Sequence, residues 1–235
     1  MIATVYGIVL RALVTKGRII LLSLLGVLGV VVAVAVGTAD VADRAKAAAD
    51  LVNGFGLTVY VPVVTLVFAS AALGDPAEDG SLVYLWLRPV PRWRIVAGAL
   101  GATLTVALPI VVVPVTAMAI VAGGDAGLVT GAALASAIGV IAYASLFCYV
   151  GLRVRRALVW GLAYVLLWEG FVSAAGKNAA RLAVRSYTRS ILADFGDVTL
   201  RLGDISPAYA VIVPLVVAAL AFLITTRRLH RTEVA

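Results

Sequence analysis

Charged residues are scarce in this chain, at 13% of 235 residues, about half of the roughly 25% found in soluble domains. Hydrophobic residues make up 63% of the sequence, and its mean hydropathy is +1.10. Several apolar runs reach the roughly 20 residues that a helix needs to cross a bilayer. The composition therefore excludes an ordinary soluble domain and predicts an all-α, polytopic membrane protein.

Cysteine and histidine are almost absent. Cys148, the only cysteine, lies in an apolar run, so the chain cannot form an internal disulfide or a cysteine metal site. His230, the only histidine, lies in a basic tail, which excludes a histidine metal cluster and a buried catalytic triad. No two carboxylates share an apolar run, and no phosphate-binding loop signature occurs. We therefore expect no catalytic residue, metal site or nucleotide site in this chain.

Six apolar runs predict spanning helices, because a backbone in lipid must satisfy its own hydrogen bonds. The even number places both termini on the same side of the membrane. The predicted spans are residues 19–38, 56–74, 95–122, 128–151, 157–175 and 207–226.

The basic residues predict which side the termini occupy. With both termini in the cytoplasm, the inner segments hold 12 arginines and lysines against four acids, whereas the outer segments hold seven of each. The positive-inside rule therefore favours cytoplasmic termini, and it accounts for the net charge of +7 without a nucleic-acid partner. All but three of the 19 basic residues are arginine, which is typical of a GC-rich bacterial genome. We expect the bacterial inner membrane.

Residues 1–18 are too polar to cross the membrane. Apolar side chains recur among them at helical spacing, at Ile2, Val5, Tyr6, Val9 and Leu13. This pattern predicts an amphipathic helix in the inner interface, followed by a six-span transmembrane domain over 19–235. A cleaved secretory signal is the alternative, but its apolar core would be unusually long.

Residues 176–206 form the largest predicted outer segment. Leu182, Tyr187, Ile191 and Phe195 keep roughly helical spacing among arginines. We expect one or two short helices resting on the outer membrane face between spans five and six.

Residues 75–94 join spans two and three and are more polar and proline-rich than the spans that flank them. Residues 74–76, Gly-Asp-Pro, predict a turn that ends span two. Asp79 or Ser81 can cap a short cytoplasmic helix, and Pro89 ends it, because the residue before a proline leaves helical geometry.

The apolar face of this short helix would comprise Leu82, Leu85 and Trp86. Apolar surface presented to the cytoplasm usually marks a binding partner. An ordinary loop with an interfacial tryptophan and positive-inside arginines is the alternative.

The segment resembles the permease subunits of type-2 ATP-binding-cassette (ABC) exporters, in which an acid-x-Gly-Ser/Thr and Leu-x-x-Leu-Trp pattern precedes Arg-Pro-Val-Pro-Arg-Trp. Ala77 and Ala99 depart from the family pattern, which often has an arginine and a lysine there. The resemblance extends to the predicted topology and to residues 164–176, which are similar to the family's fifth span. The positions that would couple to an ATPase are Glu78, Asp79, Gly80, Ser81, Leu82, Leu85, Trp86, Arg88, Pro89 and Arg92.

This resemblance implies two copies of a separate ATPase subunit, which would bind ATP and magnesium, and a second permease copy that completes a homodimer. A non-transporting membrane scaffold or assembly protein is one alternative. An ion-coupled carrier is another, although such carriers usually show several intramembrane ionisable residues and internal repeats.

Glu169 is the only charged residue inside a predicted span. A charge at that depth is costly and normally faces protein or a water-filled cavity. It predicts either a substrate-path or gate contact, or a structural hydrogen bond to the outer helices.

Small residues recur along two predicted spans, at Gly26 and Gly29 and at Gly127, Gly131 and Ala135. Such faces let helices approach closely. They could serve a subunit interface.

Overall fold

The structure, a computed structural model, describes residues 2–39, 43–80, 91–171, 180–200 and 205–231. Every regular element within these ranges is helical, which confirms the all-α prediction. The helices are α1 (Ile2–Leu13), α2 (Lys16–Thr38), α3 (Arg44–Glu78), α4 (Arg92–Val121), α5 (Ala126–Arg153), α6 (Ala157–Ala163, continued by Tyr164–Phe171), α7 (Val184–Phe195) and α8 (Pro207–Arg231).

Five of the described helices, α2, α3, α4, α5 and α8, are long and apolar enough to cross a membrane. The sequence predicted a sixth span over 157–175. The described part of α6 comprises seven α-helical residues and eight π-helical residues, the last of which is Phe171. The five long apolar helices are compatible with a multi-pass membrane protein, and the predicted sixth span stays a prediction.

Helix α3 is longer than the predicted span 56–74. It begins after Asp43, whose carboxylate caps the helix by accepting a hydrogen bond from the Lys46 N–H at 3.0 Å. It also continues through residues 74–76, where a turn was predicted. The prediction of a turn was wrong: Gly74 lies inside the helix, where its lack of a side chain lets α3 pack closely against the backbone of Gly151 on α5.

The close pairing of α3 with α5 forms the centre of the bundle. A Cβ atom placed on Gly139 would lie 3.1 Å from Val61 Cγ1, and one placed on Gly151 would overlap the backbone of Ser70. These two contacts lie in the same order along both helices, so α3 and α5 are parallel. Their backbones approach closely because glycine occupies the points of contact.

Helix α2 approaches α3 and α4 through Gly26 and Gly29. A Cβ atom on Gly26 would overlap the Tyr60 hydroxyl, and one on Gly29 would overlap Met118. The predicted close-approach face is confirmed, but in the structure it contacts helices of its own chain rather than a second copy.

Tyr60 joins three helices at the level of a proline in α4. Pro114 has no N–H, so the carbonyl four residues earlier, that of Ile110, lacks its helical donor. The Tyr60 hydroxyl lies 2.7 Å from this carbonyl and 3.2 Å from that of Leu22 on α2. A buried side chain of α3 therefore supplies the hydrogen bond that the proline removes.

We expect Tyr60→Phe to lower the free energy of unfolding by about 1–2 kcal/mol, because the Ile110 carbonyl, which Pro114 leaves without a helical donor, also loses the hydroxyl, within an otherwise unchanged packing. Thermal unfolding in detergent measures the change. Tyr209→Phe is the matched control, since Tyr209 is 65% exposed. An equal melting temperature for both variants would contradict the role assigned to the Tyr60 hydroxyl.

Helix α1 confirms the predicted N-terminal helix over Ile2–Leu13. Val5, Val9 and Leu13 are buried on one face. Gly98 near the start of α4 faces Val5, where a Cβ atom would lie 3.0 Å away, so α1 lies across the beginning of α4.

Helix α6 runs back along α5 from the turn at residues 154–156. The ring of Tyr164 packs edge-on against Phe147, with 6.2 Å between the ring centroids. Near its end, α6 brings Glu169 beside Tyr143 of α5. Glu169 therefore lies little more than a third of the way along α5 from the Arg153 end, because Tyr143 is only ten residues from Arg153.

Helix α7 continues along α5 from the level of Glu169. It begins beside Glu169, and its other end contacts Gly127 and Gly131, where a Cβ atom on Gly131 would lie 2.9 Å from Phe195 Cβ. The predicted short helix is confirmed with the bounds Val184–Phe195. It packs lengthwise against α5, whereas the sequence predicted that it rests on the outer membrane face, because the small residues Gly127 and Gly131 of α5 leave room for it.

Together, α6 and α7 are about as long as α5. The 12 residues of α7 extend for about 18 Å and the described part of α6 for about 20 Å, compared with about 42 Å for the 28 residues of α5. Two short helices that meet at Glu169 thus cover the distance that α5 covers alone.

Candidate functional site

Glu78, the first of the predicted coupling residues, ties the end of α3 to the start of α6. Its Oε1 accepts a hydrogen bond from the backbone N–H of Arg156 at 2.8 Å. Arg156 has φ 59°, a left-handed conformation that residues other than glycine rarely adopt. The carboxylate therefore supports the strained turn from which α6 begins.

The same end of α3 also contacts α2. Arg18 forms an exposed ion pair with Asp75 at 3.0 Å, a type of contact that contributes little stability by itself. Asp79 and Gly80 are exposed beyond the helix, and Gly80 has φ 69°. Arg92 begins α4.

The remaining predicted coupling positions lie outside the described residues. They are Ser81, Leu82, Leu85, Trp86, Arg88 and Pro89. Their coupling role stays a prediction.

Glu169 is fully buried and caps the N-terminus of α7 from the neighbouring helix. Its Oε1 accepts hydrogen bonds from the Val184 N–H and the Tyr164 hydroxyl, both at 3.2 Å, and its Oε2 accepts one from the Arg185 N–H at 3.1 Å. A carboxylate at this position satisfies N–H groups that have no partner within the helix and complements the positive end of the helix dipole.

This arrangement is the structural role that was one of the two sequence interpretations of Glu169. Arg185 reinforces it, because its Nη1 donates to the Glu169 carbonyl oxygen at 3.1 Å. The substrate-path role of Glu169 stays a prediction. The carboxylate joins α6 to α7 across the junction of the two short helices.

Two further polar atoms lie buried at this junction. The Tyr143 hydroxyl faces the Glu169 carboxylate but falls outside hydrogen-bond geometry. Neither that hydroxyl nor the Arg185 Nε has a hydrogen-bond partner within the part of the chain that the structure describes. Buried donors of this kind usually meet water or a ligand, because leaving them unsatisfied is costly.

Arg189, one helical turn beyond Arg185, is only 9% exposed. Its Nε donates to Asn53 Oδ1 on α3 at 3.1 Å, and the neighbouring guanidinium of Arg185 repels it electrostatically. The buried Arg189, the partly buried Arg185 and the carboxylate of Glu169 therefore lie together beside α7.

Two π-helical segments flank this charged cluster. One, Val52–Tyr60 in α3, carries Asn53, and the other, Tyr164–Phe171 in α6, carries Glu169. Such wide turns are rare and occur frequently at functional sites. Both segments present side chains to α7 that a regular helix would direct elsewhere.

The sequence interpretation missed Arg185, Arg189 and Asn53. The sequence did contain a pattern that could have indicated the two arginines. Arginine recurs every four residues, at Arg181, Arg185 and Arg189, and residues at this spacing share one side of a helix. The arginines were assigned instead to an outer surface, because nothing in the sequence indicated that α7 enters the bundle.

Comparison with protein-family models and with curated proteins finds no match for the chain.

Proposed function

We propose that this chain is the membrane subunit of an ATP-driven exporter that resembles the type-2 ABC permeases. Two copies would form the pathway, and two separate ATPase subunits would dock on the segment around residues 78–88. Both termini would lie in the cytoplasm of a bacterium, with α6 and α7 together making the sixth pass.

The hydrogen bond from the Arg156 N–H to Glu78 is the observation that carries the proposal. It connects the end of the segment that would receive the ATPase to the first residues of α6. At its other end, α6 is tied by Glu169 to α7. A displacement of the docking segment would thus reach the middle of the bundle through one short helix.

The ATPase supplies the chemistry in this mechanism. ATP binding would bring the two ATPases together, and their different contacts with the docking segment in the two states would bias the bundle between two arrangements. The described residues contribute positioning only: Glu78 holds the start of α6, and Glu169 holds its junction with α7.

We expect a chain with Trp86→Ala and Leu85→Asp to lose the ATPase encoded nearest to its gene. Co-purification in mild detergent measures this, and we expect a loss of about tenfold or more, since docking sites depend on a few apolar anchors. Trp160→Ala, at a tryptophan that is exposed on α6, is the matched control and should retain the ATPase.

Failure of the unaltered chain to retain any ATPase, under conditions that preserve its fold, would contradict the exporter function. A membrane scaffold would then be the better interpretation.

A further inference from the structure

The charged cluster beside α7 has the composition of an anion-binding site. Among the described side chains, Arg185 and Arg189 supply two positive charges and Glu169 one negative charge. The carboxylate already accepts hydrogen bonds from two backbone N–H groups and a tyrosine. Charged side chains inside an apolar bundle are costly and normally face protein or a ligand path, and two arginines one helical turn apart suit an anionic ligand.

The position of Arg189 and Asn53 along the bundle also favours a bound ligand over a purely structural contact between the two side chains. Asn53 lies in the π-helical segment of α3, and Arg189 bridges to it from α7. Because Val61 lies level with Gly139 of α5, Asn53 lies nearer the Asp125 end of that helix. With the termini in the cytoplasm, this is the outer half of the membrane, where a lipid headgroup region is within reach.

Arginine is suited to a particular class of guest. Its planar guanidinium presents paired N–H groups that match the oxygens of phosphate or carboxylate, which a lysine does less well. The buried Nε of Arg185 has no acceptor among the described residues, so at least one donor is available there.

We propose that Arg185 and Arg189, with Asn53, bind the phosphate or carboxylate headgroup of an anionic amphiphile whose apolar chains lie against the bundle. That this amphiphile is the exported substrate rests on the proposed function, whereas the binding itself does not. The π-helical turn at Asn53 positions the Arg189 guanidinium, and the Arg185 guanidinium lies one turn away on the same helix.

The test uses the full chain, purified in neutral detergent without any ATPase. Fluorescence anisotropy would follow the binding of acyl-labelled phosphatidylglycerol and of equally labelled phosphatidylcholine. We expect phosphatidylglycerol to bind about tenfold more tightly, because only its headgroup carries a net charge. If inorganic phosphate displaces the labelled lipid, the anion of the headgroup is sufficient for binding. If inorganic phosphate does not displace it, the apolar chains of the lipid are required as well.

Asn53→Asp is the decisive variant, since it keeps the shape of the side chain and places a carboxylate against Arg189. It should preserve the fold and abolish the preference for phosphatidylglycerol. Arg189→Gln should do the same, and Arg181→Gln, at an exposed arginine that precedes α7, should leave the preference intact.

Equal binding of the two lipids by the unaltered chain would overturn the proposal. So would an undiminished preference in folded Asn53→Asp. The ATPase plays no part in this assay, so loss of lipid preference and loss of ATPase docking are separate results.

Discussion

Replacing Glu169 with alanine is expected to lower the free energy of unfolding by about 3–5 kcal/mol, the range seen when one partner of a buried charged cluster is removed. The substitution leaves the Val184 and Arg185 N–H groups without their acceptor and the Arg185 guanidinium without its nearest anion. No other described side chain caps α7, so the helix would keep only the hydrogen bond from Arg185 to the carbonyl oxygen of residue 169 among its described polar contacts with α6.

Two measurements check this prediction. Thermal unfolding in detergent reports the loss of stability. Detachment of α7 is reported by the rate at which a thiol reagent labels Leu192→Cys in a Cys148→Ser background, since Leu192 is buried against α5. Labelling should be slow in the otherwise unaltered chain and rapid once Glu169 is alanine.

Two control variants distinguish the effect of losing the carboxylate from the effect of any substitution in this region. Glu169→Gln keeps the size of the side chain and one acceptor oxygen, so its effect should be about half as large, on the order of 2 kcal/mol. Asp194→Ala, at an exposed acid on α7, should change stability by less than about 0.5 kcal/mol. Unchanged melting and labelling in Glu169→Ala would show that α7 is held without the carboxylate.

Replacing Gly151 with alanine is expected to lower the free energy of unfolding by about 3 kcal/mol, at the upper end of the cost of overpacking. The added Cβ atom would overlap the backbone oxygen of Ser70 on α3 and lie 3.0 Å from its Cα. A backbone cannot rotate out of the way as a long side chain can, so α3 and α5 would have to separate.

The only cysteine of the chain reports this separation. Cys148, three residues before Gly151, is 1% exposed, so a maleimide should react with it slowly in the unaltered chain and faster in Gly151→Ala. Gly17→Ala is the matched control, because it also lies in a helix but a Cβ atom there has no neighbour within 4 Å. That variant should be neutral or slightly stabilising. Similar melting temperatures for the two variants would contradict the close contact of α3 with α5.

Much of the fold could be predicted from composition and spacing. The apolar runs predicted helices at α2, α4, α5 and α8, and the buried positions Val5, Val9 and Leu13 of α1 follow from their helical spacing. These features depend on hydrophobicity and periodicity, which are properties of neighbouring residues in the sequence. Residues 44–55 were missed as part of α3 because their charges resemble those of a loop.

The candidate site could be predicted only in part. Glu169 was conspicuous, since a charge in an apolar run requires an explanation wherever the chain places it. Its partners could not be identified, because Val184 and Arg185 offer backbone N–H groups that every residue has. Arg189 and Asn53 are 136 positions apart, and no local pattern links them.

The sequence alone thus determined that the chain is helical and apolar enough for a membrane, because these properties depend on composition and short-range spacing. Only the tertiary structure decided that α7 enters the bundle and that Glu169 caps it there. The physical reason is that the small residues at Gly127 and Gly131 admit a neighbouring helix without specifying which one. The choice of α7 is made by hydrogen bonds and charges that meet only once α3, α5 and α6 have packed together.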